Sequence, residues 1–388
     1  MKRKICLIST TRAEFGHLEG LIQLLHQDKK IIFNFVISGT HLSKKHGYTI
    51  NEIDKNLIKK KNLINIMSPN SNNDQIGVVA SKTLNKFYNY FNRTKPNIII
   101  VLGDRFEIFS VVYAALLNNI PIAHIHGGEL TLGAIDDSIR HSITKMSYWH
   151  FASTNDYKKR IIQLGEDRNN IFDVGALAVN KISKIKTISK ERLRKRLKIK
   201  FSKKNILITF HSETHKSEME NIKNAKKIVA TLKKLKDTTL IFTGSNIDKS
   251  SKKINSIFKL FINKKKVNRF YFESLGSLNY LSLLSNVDIV LGNSSSGIIE
   301  APSFKIATIN IGDRQEGRVQ AKSVINCKIN EEQIMKAINI AYSKKFKFNL
   351  KNLNNPYHKK NTEKKIYNFI KNCNIPTTTK KKFFDLKK

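Results

Sequence analysis

A chain of 388 residues is too long for one ordinary hydrophobic core, so we expect two domains. It has no apolar run of about 18 residues, which excludes a membrane-spanning helix and predicts no membrane partner. The short apolar run Ile5–Ile8 near the start predicts a strand and not a signal peptide. The three cysteines form no CxxC pair, so we expect neither a disulfide framework nor a zinc finger, and a cytoplasmic location is the simplest expectation.

The net charge is +40, with 70 Lys and Arg against 30 Asp and Glu. An excess of this size is typical of nucleic-acid-binding proteins, but it also follows from the codons of a genome rich in A and T. The lysines are spread along the whole chain, and the segment from Val101 to His150 is its least basic part. We therefore expect no nucleic-acid partner, and we expect the summed field to attract an anionic substrate.

Strands and helices alternate through the first half of the chain. The predicted strands are Lys4–Ser9, Ile31–Ile37, Leu63–Met67, Asn97–Leu102, Pro121–Ile125, Trp149–Ala152 and Ile171–Val174. A helix is predicted after the turn Thr10–Gly16, and others at Thr49–Leu57, Gln75–Phe91, Phe106–Leu117 and Asp156–Leu164. This alternation predicts a parallel, doubly wound sheet with helices on both faces.

The basic segment from Lys186 to Lys204 predicts a linker with a surface helix, and a second series of strands and helices follows it. Its predicted strands are Asn205–Phe210, Thr239–Phe242, Val267–Phe272, Val287–Leu291 and Ile306–Ile309. Its predicted helices are Met219–Leu235, Ile254–Phe261, Leu278–Leu284 and Glu331–Tyr342, before a final helix at Thr362–Cys373. The last residues, KKKFFDLKK, are predicted to be a frayed tail.

Two such series predict an α/β fold with two Rossmann-like, doubly wound domains facing a cleft. We expect the first domain to cover residues 1–180 and to be joined by the C-terminal segment 362–388. The second domain is expected to cover residues 181–361.

The stretch from His124 to Lys145 is the strongest candidate for a site. It follows a predicted strand, leads into a helix, and contains a glycine pair with the carboxylates Glu129, Asp136 and Asp137. Open α/β sheets bind their ligands at the carboxyl ends of strands, so titratable groups on such a loop predict chemistry there.

Other loops at predicted strand ends allow more than one interpretation. Arg12 at a helix start is either a surface residue or part of an anion site, and Asp104 is either a helix N-cap or a site residue. His124 and His126 alternate along a strand and would face one side, but one HxH pattern does not predict a metal, and we expect none. His211 directly follows a strand and is either structural or functional.

The loop Gly292–Gly297, GNSSSG, is rich in small and hydroxyl residues and lies between a strand and a helix. Loops of this kind bind phosphate or ribose through N–H and O–H groups. The segment Gly312–Arg318, GDRQEGR, adds two arginines shortly after it.

Together these motifs resemble the hydrolysing UDP-N-acetylglucosamine 2-epimerases, and within that family the bacterial sialic-acid branch. The residues that carry the resemblance are TTRAEFG (10–16), LGDRFEIFS (102–110), HIHGGELT (124–131), IDDSIRHSITKMS (135–147), QLGE (163–166), FHSET (210–214), GNSSSGIIEAPS (292–303) and INIGDRQEGRV (309–319). The resemblance spans about residues 4–370 and implies two domains in the glycosyltransferase-B-like arrangement.

The resemblance implies that UDP-GlcNAc and water become N-acetylmannosamine and UDP by elimination to 2-acetamidoglucal and rehydration, for sialic acid biosynthesis. It implies no metal and no cofactor, and a homo-oligomer, dimer or tetramer. The alternative is a sister epimerase acting on a UDP-2,4-diacetamido-trideoxyhexose for legionaminic-type acids. A glycosyltransferase on the same fold is less favoured, since it would need an acceptor site and not clustered carboxylates.

The resemblance also assigns roles to residues. Asp104 and Asp136 match catalytic carboxylates, and His211 matches a histidine near the leaving phosphate. The implied substrate-binding residues are Arg12, Arg105, Ser294, Ser295, Gly297, Glu300 and Arg314, with Arg318 as a second candidate for the nucleotide-side arginine.

One position departs from much of the family. His126 stands at the third position of HIxGGE, where many members have a glutamate with a catalytic role. Either Glu129 supplies that carboxylate or His126 acts in its place. The sister epimerases more often keep the glutamate, so His126 favours UDP-GlcNAc over the diacetamido sugar. His17 stands where relatives often have lysine.

Overall fold

The computed structural model describes residues 2–67, 76–132, 134–213, 215–244, 250–263 and 268–386. It divides into two compact units, the first made of residues 1–129, 136–181 and 359–388, the second of 130–135 and 182–358. Gln75 and Val267, where predicted elements begin, and Thr214, Lys387 and Lys388 lie outside the described residues. No helix in the described ranges is both long and apolar enough to cross a membrane.

The first unit contains a parallel sheet with the strand order β3-β2-β1-β4-β5-β6-β7. The strands are β1 Arg3–Ser9, β2 Ile31–Ser38, β3 Leu63–Ile64, β4 Ile98–Leu102, β5 Ile122–Ile125, β6 Trp149–Ala152 and β7 Ile171–Asp173. The helices are α1 Arg12–Gln27, α2 Ile76–Thr94, α3 Phe106–Leu117, α4 Asp136–Met146, α5 Asn155–Gln163, α6 Leu177–Ile182 at the unit's boundary, and α14 Thr362–Asn372. Strand β4, IIIVL, is buried along its whole length, as a strand covered on both faces must be.

The second unit contains a parallel sheet with the order β10-β9-β8-β11-β12-β13. Its strands are β8 Lys204–Thr209, β9 Thr238–Thr243, β10 Arg269–Phe272, β11 Ile289–Gly292, β12 Ala307–Ile311 and β13 Val324–Cys327. Its helices are α7 Lys190–Leu197, α8 Glu218–Lys233, α9 Ser251–Ile262, α10 Gly276–Leu284, α11 Ser295–Ile299, α12 Glu331–Tyr342 and α13 Lys344–Leu350. Two doubly wound α/β units are therefore confirmed.

The strand orders fix where each unit can bind a ligand. The order reverses between β1 and β4 in the first sheet and between β8 and β11 in the second. Loops leaving the carboxyl ends of two such neighbouring strands separate to opposite faces and leave a crevice between them. The loops at 10–12 and 103–105 border this crevice in the first unit, and those at 210–213 and 293–296 border it in the second.

Several local predictions differ from the structure. The predicted helix Thr49–Leu57 is two short 3₁₀ turns, and the predicted strand Leu63–Met67 is only Leu63–Ile64. Strand Val324–Cys327 was not predicted, because it is short and none of its residues is fully buried. Helices Leu177–Ile182 and Lys344–Leu350 were also missed, since they are too short to show a periodic apolar face.

The prediction of a frayed tail is wrong for the described residues 380–386. The ammonium of Lys381 lies 2.6 Å from Glu166 Oε2 and donates to the carbonyls of Lys145 (2.7 Å) and Ser147 (2.6 Å), at the end of α4. Glu166 is buried, so the ammonium compensates a carboxylate that would otherwise be costly to bury. The ammonium of Lys381 therefore holds the tail against the first unit, although its lysine-rich composition predicts that the tail is exposed to solvent.

Aromatic residues complete this contact. The Phe384 N–H donates to Gly165 O at 2.9 Å, and the Lys145 ammonium lies 4.8 Å from the centre of the Phe383 ring. Gly165 has a φ of +79°, and a Cβ there would overlap the Phe383 ring, so both its conformation and its space require glycine. The QLGE motif is therefore the part of the first unit that receives the tail.

We expect Lys381→Met to lower the stability of the protein by about 2 kcal/mol, because a charged donor to a buried carboxylate is lost. The matched control is Lys382→Met, since Lys382 is the exposed neighbour. Thermal unfolding followed by circular dichroism measures both variants. Equal melting temperatures for the two would contradict the role of Lys381.

Candidate functional site

The guanidinium of Arg140, on α4, is the centre of the first unit's polar cluster. It is 1% exposed and forms an ion pair with Asp104, in the loop after β4. The same side chain donates to Asp137 Oδ1 at 3.2 Å and to the Glu129 backbone carbonyl at 2.8 Å. One buried cation thus connects the loop after β4, the loop after β5 and the first turns of α4.

Asp104 and Asp137 keep part of their surface accessible, with side-chain exposures of 24% and 19%. Asp136, the first residue of α4, is half-buried and interacts electrostatically with Arg105. The structure therefore places the predicted carboxylates Asp104 and Asp136 at one edge of the first sheet, and it adds Asp137 to them. Carboxylates in the first turn of a helix are favoured by the positive end of its dipole.

The two arginines predicted to bind substrate in the first unit both contact carboxylates. Arg105 binds Glu107 through two contacts of 2.9 and 3.1 Å, and Glu107 is buried. Arg12 lies 3.4 Å from Glu52 in a half-exposed pair. Arg105 is thus fixed beside the β4 loop, whereas Arg12 is held only by a surface contact of small energy.

Glu14 is a buried carboxylate that the sequence did not single out. It accepts hydrogen bonds from the Thr10 N–H at 2.6 Å and the Thr11 N–H at 3.2 Å, which closes the start of α1. Burial raises the pKa of Glu14 to about 7, while the nearby Arg105 lowers it. The loop after β1 is therefore tied to its own helix and contributes a titratable group near neutral pH.

The expectation that His124 and His126 face one side of a strand is wrong. β5 ends at Ile125, and His126 follows it with a φ of +68°, which turns the chain. His124 Nε2 lies 2.8 Å from Gly103 O and its Nδ1 lies 3.3 Å from Thr144 Oγ1, so it joins the β4 loop to α4. The described residues contain no group of three or more His, Cys, Asp or Glu side chains arranged to hold a metal ion.

His126 contacts a different partner. Its Nδ1 lies 3.3 Å from Glu129 Oε1, and Ser153 Oγ donates to the same oxygen at 2.8 Å. Glu129 is 2% exposed. Both predicted residues of the HIHGGE motif therefore contact each other through their side chains.

In the second unit, Asn293 organises the loop after β8. Its side chain accepts from the His211 N–H at 2.7 Å and donates to the His211 carbonyl at 2.8 Å. Its own carbonyl accepts from Arg314 at 3.2 Å and from Gln315 at 2.8 Å. The structure therefore brings together His211 and Arg314, and it adds Asn293 and Gln315, which the sequence analysis did not single out.

The loop after β11 forms the other side of this crevice. Ser294 caps α11 by accepting from the Ser296 N–H, and Tyr280 donates to Ser296 Oγ at 2.7 Å. Gly292 has a φ of +146°, and a Cβ there would overlap the Thr209 carbonyl of the neighbouring strand. Ser295 and Gly297 lie in α11 and Glu300 directly follows it, so all the predicted residues of this loop lie on one short segment.

A family model described as UDP-N-acetylglucosamine 2-epimerase matches residues 23–371. The chain belongs to the UDP-N-acetylglucosamine 2-epimerase family. The match covers most of both units and all of the site residues described in this subsection except Thr10, Thr11, Arg12 and Glu14, which precede it.

Two relatives span nearly the whole chain of this family member. A GDP/UDP-N,N'-diacetylbacillosamine 2-epimerase (hydrolyzing) of Campylobacter jejuni subsp. jejuni serotype O:2 is 42% identical over 99% of this chain and 100% of that protein. The polysialic acid biosynthesis protein P7 of Escherichia coli is 37% identical over 96% of this chain and 95% of that protein. The sialic-acid branch is not singled out by these similarities.

Among solved structures, the UDP-GlcNAc 2-epimerase from Neisseria meningitidis bound to UDP-GlcNAc has a TM-score of 0.79. The similarity covers 95% of this chain and 99% of that chain at 22% identity. At this identity the comparison establishes the fold, which is that of the epimerase family.

Acid should destabilise this epimerase-family protein through its buried histidines. Burial lowers the pKa values of His17 and His41 to about 4, and the pKa values of His124 and His211 to about 3. Below pH 6.5 the unfolded chain binds a proton at each and the folded protein does not, so stability falls by about 2 kcal/mol per histidine from pH 7 to 5. Glu14 has the opposite effect, of similar size, because its pKa is raised, but it is one group and the histidines are four.

Urea unfolding at pH 7 and pH 5 measures the effect. His41→Gln should reduce the loss by about 2 kcal/mol, whereas His358→Gln, at an exposed position, should leave it unchanged. Equal stability of the wild type at the two pH values would contradict the assignment.

Proposed function

We propose that this chain is a hydrolysing 2-epimerase of a UDP-activated 2-acetamido sugar. The observation that carries the proposal is the pairing of Asp104 with the buried Arg140 at the β1/β4 switch point, beside Asp136 and Asp137. Family membership over most of the chain supports it. Acidic groups with different surroundings at one sheet edge are what proton transfers at a sugar carbon need.

The proposed reaction has two steps. First, a base takes the C2 proton, the C–H electron pair forms the C1=C2 double bond, and the C1–O pair leaves with UDP. Then water adds across the double bond: its hydroxyl joins C1 and a proton joins C2 from the opposite face. The products are UDP and the C2-inverted free sugar.

We assign the proton transfers to the first unit. Asp104 forms an ion pair with the buried guanidinium of Arg140, which fixes the position of its carboxylate. Asp136 lies at a helix start, where it interacts with Arg105. The two aspartates therefore have different electrostatic surroundings, which suits one of them to act as base and the other as acid.

We assign UDP to the second unit. Arg314 supplies positive charge beside Asn293, and burial together with Arg314 lowers the pKa of His211, so His211 is neutral at pH 7. A neutral imidazole can donate to a phosphate oxygen without a net change of charge. Ser294, Ser295 and Gly297 are proposed to contact the diphosphate and Glu300 the ribose, while Arg318 is the second candidate for the diphosphate.

For the substrate, we propose UDP-N,N'-diacetylbacillosamine. A hydrolysing epimerase named for that sugar is 42% identical over almost the whole chain, which outweighs the single-residue argument from His126 for UDP-GlcNAc. UDP-GlcNAc is the second candidate. The 37% identity to a polysialic acid biosynthesis protein favours it.

The two substrates differ at C4 and C6, so one assay distinguishes them. We expect kcat/KM to be at least about tenfold higher for UDP-N,N'-diacetylbacillosamine, because a pocket that pairs the acetamido group at C4 discriminates against a sugar with a hydroxyl group there. In D₂O the released sugar should carry deuterium at C2. UDP release without the label would indicate simple hydrolysis, and no release from either sugar would exclude the proposed reaction.

We expect Asp104→Asn to lower kcat by about 10²–10⁴-fold, because a proton-transfer group is lost. UDP affinity, measured by calorimetry, should stay near that of the wild type, since the proposed UDP contacts lie in the second unit. Asp156→Asn, at an exposed position on α5, is the matched control. A parallel loss of UDP binding in Asp104→Asn would make Asp104 a structural residue.

A further inference from the structure

His126 occupies a constrained backbone position at the end of β5. Its N–H donates to Phe151 O on β6 at 2.9 Å, which extends the strand ladder by one bond. Its φ of +68° is uncommon for a residue with a side chain. Such conformations persist only where the surroundings enforce them, and they are concentrated at functional sites.

The two ring nitrogens of His126 have different surroundings. Nδ1 faces Glu129 Oε1 at 3.3 Å, whereas Nε2 is buried and has no hydrogen-bond partner among the described residues. A proton on Nδ1 points at the carboxylate, which leaves the lone pair on Nε2. A buried acceptor that no described residue satisfies costs free energy, so its retention points to a functional role.

The contacts of Glu129 suit it to support the imidazole of His126. Its Oε1 already accepts from Ser153 at 2.8 Å, its carbonyl accepts from Arg140, and its side chain is 3% exposed. Its side chain is therefore the less accessible of the two, at 3% exposure against 11% for His126. It can orient the imidazole and stabilise the imidazolium that forms when Nε2 takes a proton.

A third residue, His17 on α1, lies near the contact between His126 and Glu129 and does not weaken it. It interacts electrostatically with both His126 and Glu129, and burial lowers its pKa to about 4. At pH 7 it is therefore uncharged, and it does not compete with His126 for the charge of Glu129.

We propose that His126 is the base that takes the C2 proton and that Glu129 is its positioning residue. The inference rests on the proposed function. It assigns to His126, and not to Glu129, the role that the glutamate of HIxGGE has in other members of the family. In the elimination, Nε2 receives the proton, the C2–H electrons form the C1=C2 bond, and the C1–O electrons leave on UDP. The imidazolium then loses its proton to solvent.

Kinetics on the full chain test the base. His126→Ala should lower kcat by about 10²-fold or more, because the proton acceptor is lost. The rate at which deuterium enters C2 should fall by the same factor. Free imidazole should restore at least about tenfold of the lost rate by occupying the space left by the ring. The exposed His358→Ala is the matched control and should behave as the wild type in both assays.

Glu129→Gln separates positioning from catalysis. It keeps an oxygen for Ser153 and His126 but removes the charge, so we expect about a tenfold loss of kcat with KM unchanged and no response to imidazole. A loss in Glu129→Gln as large as that in His126→Ala, together with no imidazole rescue of His126→Ala, would make Glu129 the base and overturn the proposal.

A measurement without turnover separates this inference from the proposed function. Nitrogen-15 NMR of labelled histidine should show His126, assigned by the loss of its signals in His126→Gln, protonated on Nδ1. Protonation on Nε2 would contradict the proposed pairing of His126 Nδ1 with Glu129, independently of which substrate the enzyme uses. A wild type that releases no UDP would overturn the proposed function, and the NMR result would still decide the pairing.

Discussion

The charge of Arg140 is the constraint on which the first unit's polar cluster depends. A guanidinium cannot lose its proton, so burying it to 1% exposure requires fixed anionic or carbonyl partners. Asp104, Asp137 and the Glu129 carbonyl supply them from three different chain segments. Removing any one of these partners leaves a buried charge short of compensation, which is why the three segments hold one relative position.

The same constraint explains the arrangement around it. Because Arg140 fixes the Glu129 backbone, the Glu129 side chain is set between Ser153 and His126. His124 joins the β4 loop to α4 from the other side through Gly103 and Thr144. In a chain of net charge +40, the acids are few, and several are grouped around one arginine.

The two-domain α/β fold could be predicted from the sequence, because short continuous apolar runs alternate with segments of helical periodicity. The position of Asp104 followed from that pattern, since it directly follows a strand. The turn at His126 could not be predicted, because the alternation of His124 and His126 assumes that the strand continues. Asn293 was missed because its contacts are with His211 and Arg314, which are distant in sequence.

Lys381 illustrates the same difficulty. Its neighbours in sequence are lysines that face solvent, and only the tertiary contact with Glu166 distinguishes it. Local composition predicts the average exposure of a segment, but one ion pair with a residue distant in sequence can bury a side chain of that segment.

The first unit is assembled from segments at both ends of the chain, and this has a consequence for its synthesis. Residues 1–129 and 136–181 are translated long before residues 359–388. At about 5–20 residues per second, the 177 residues between 181 and 359 take roughly 9–35 s to translate. During that time the emerging unit lacks α14, whose Ile366 and Ile370 are fully buried, so its apolar surface stays open to chaperones until α14 has been translated.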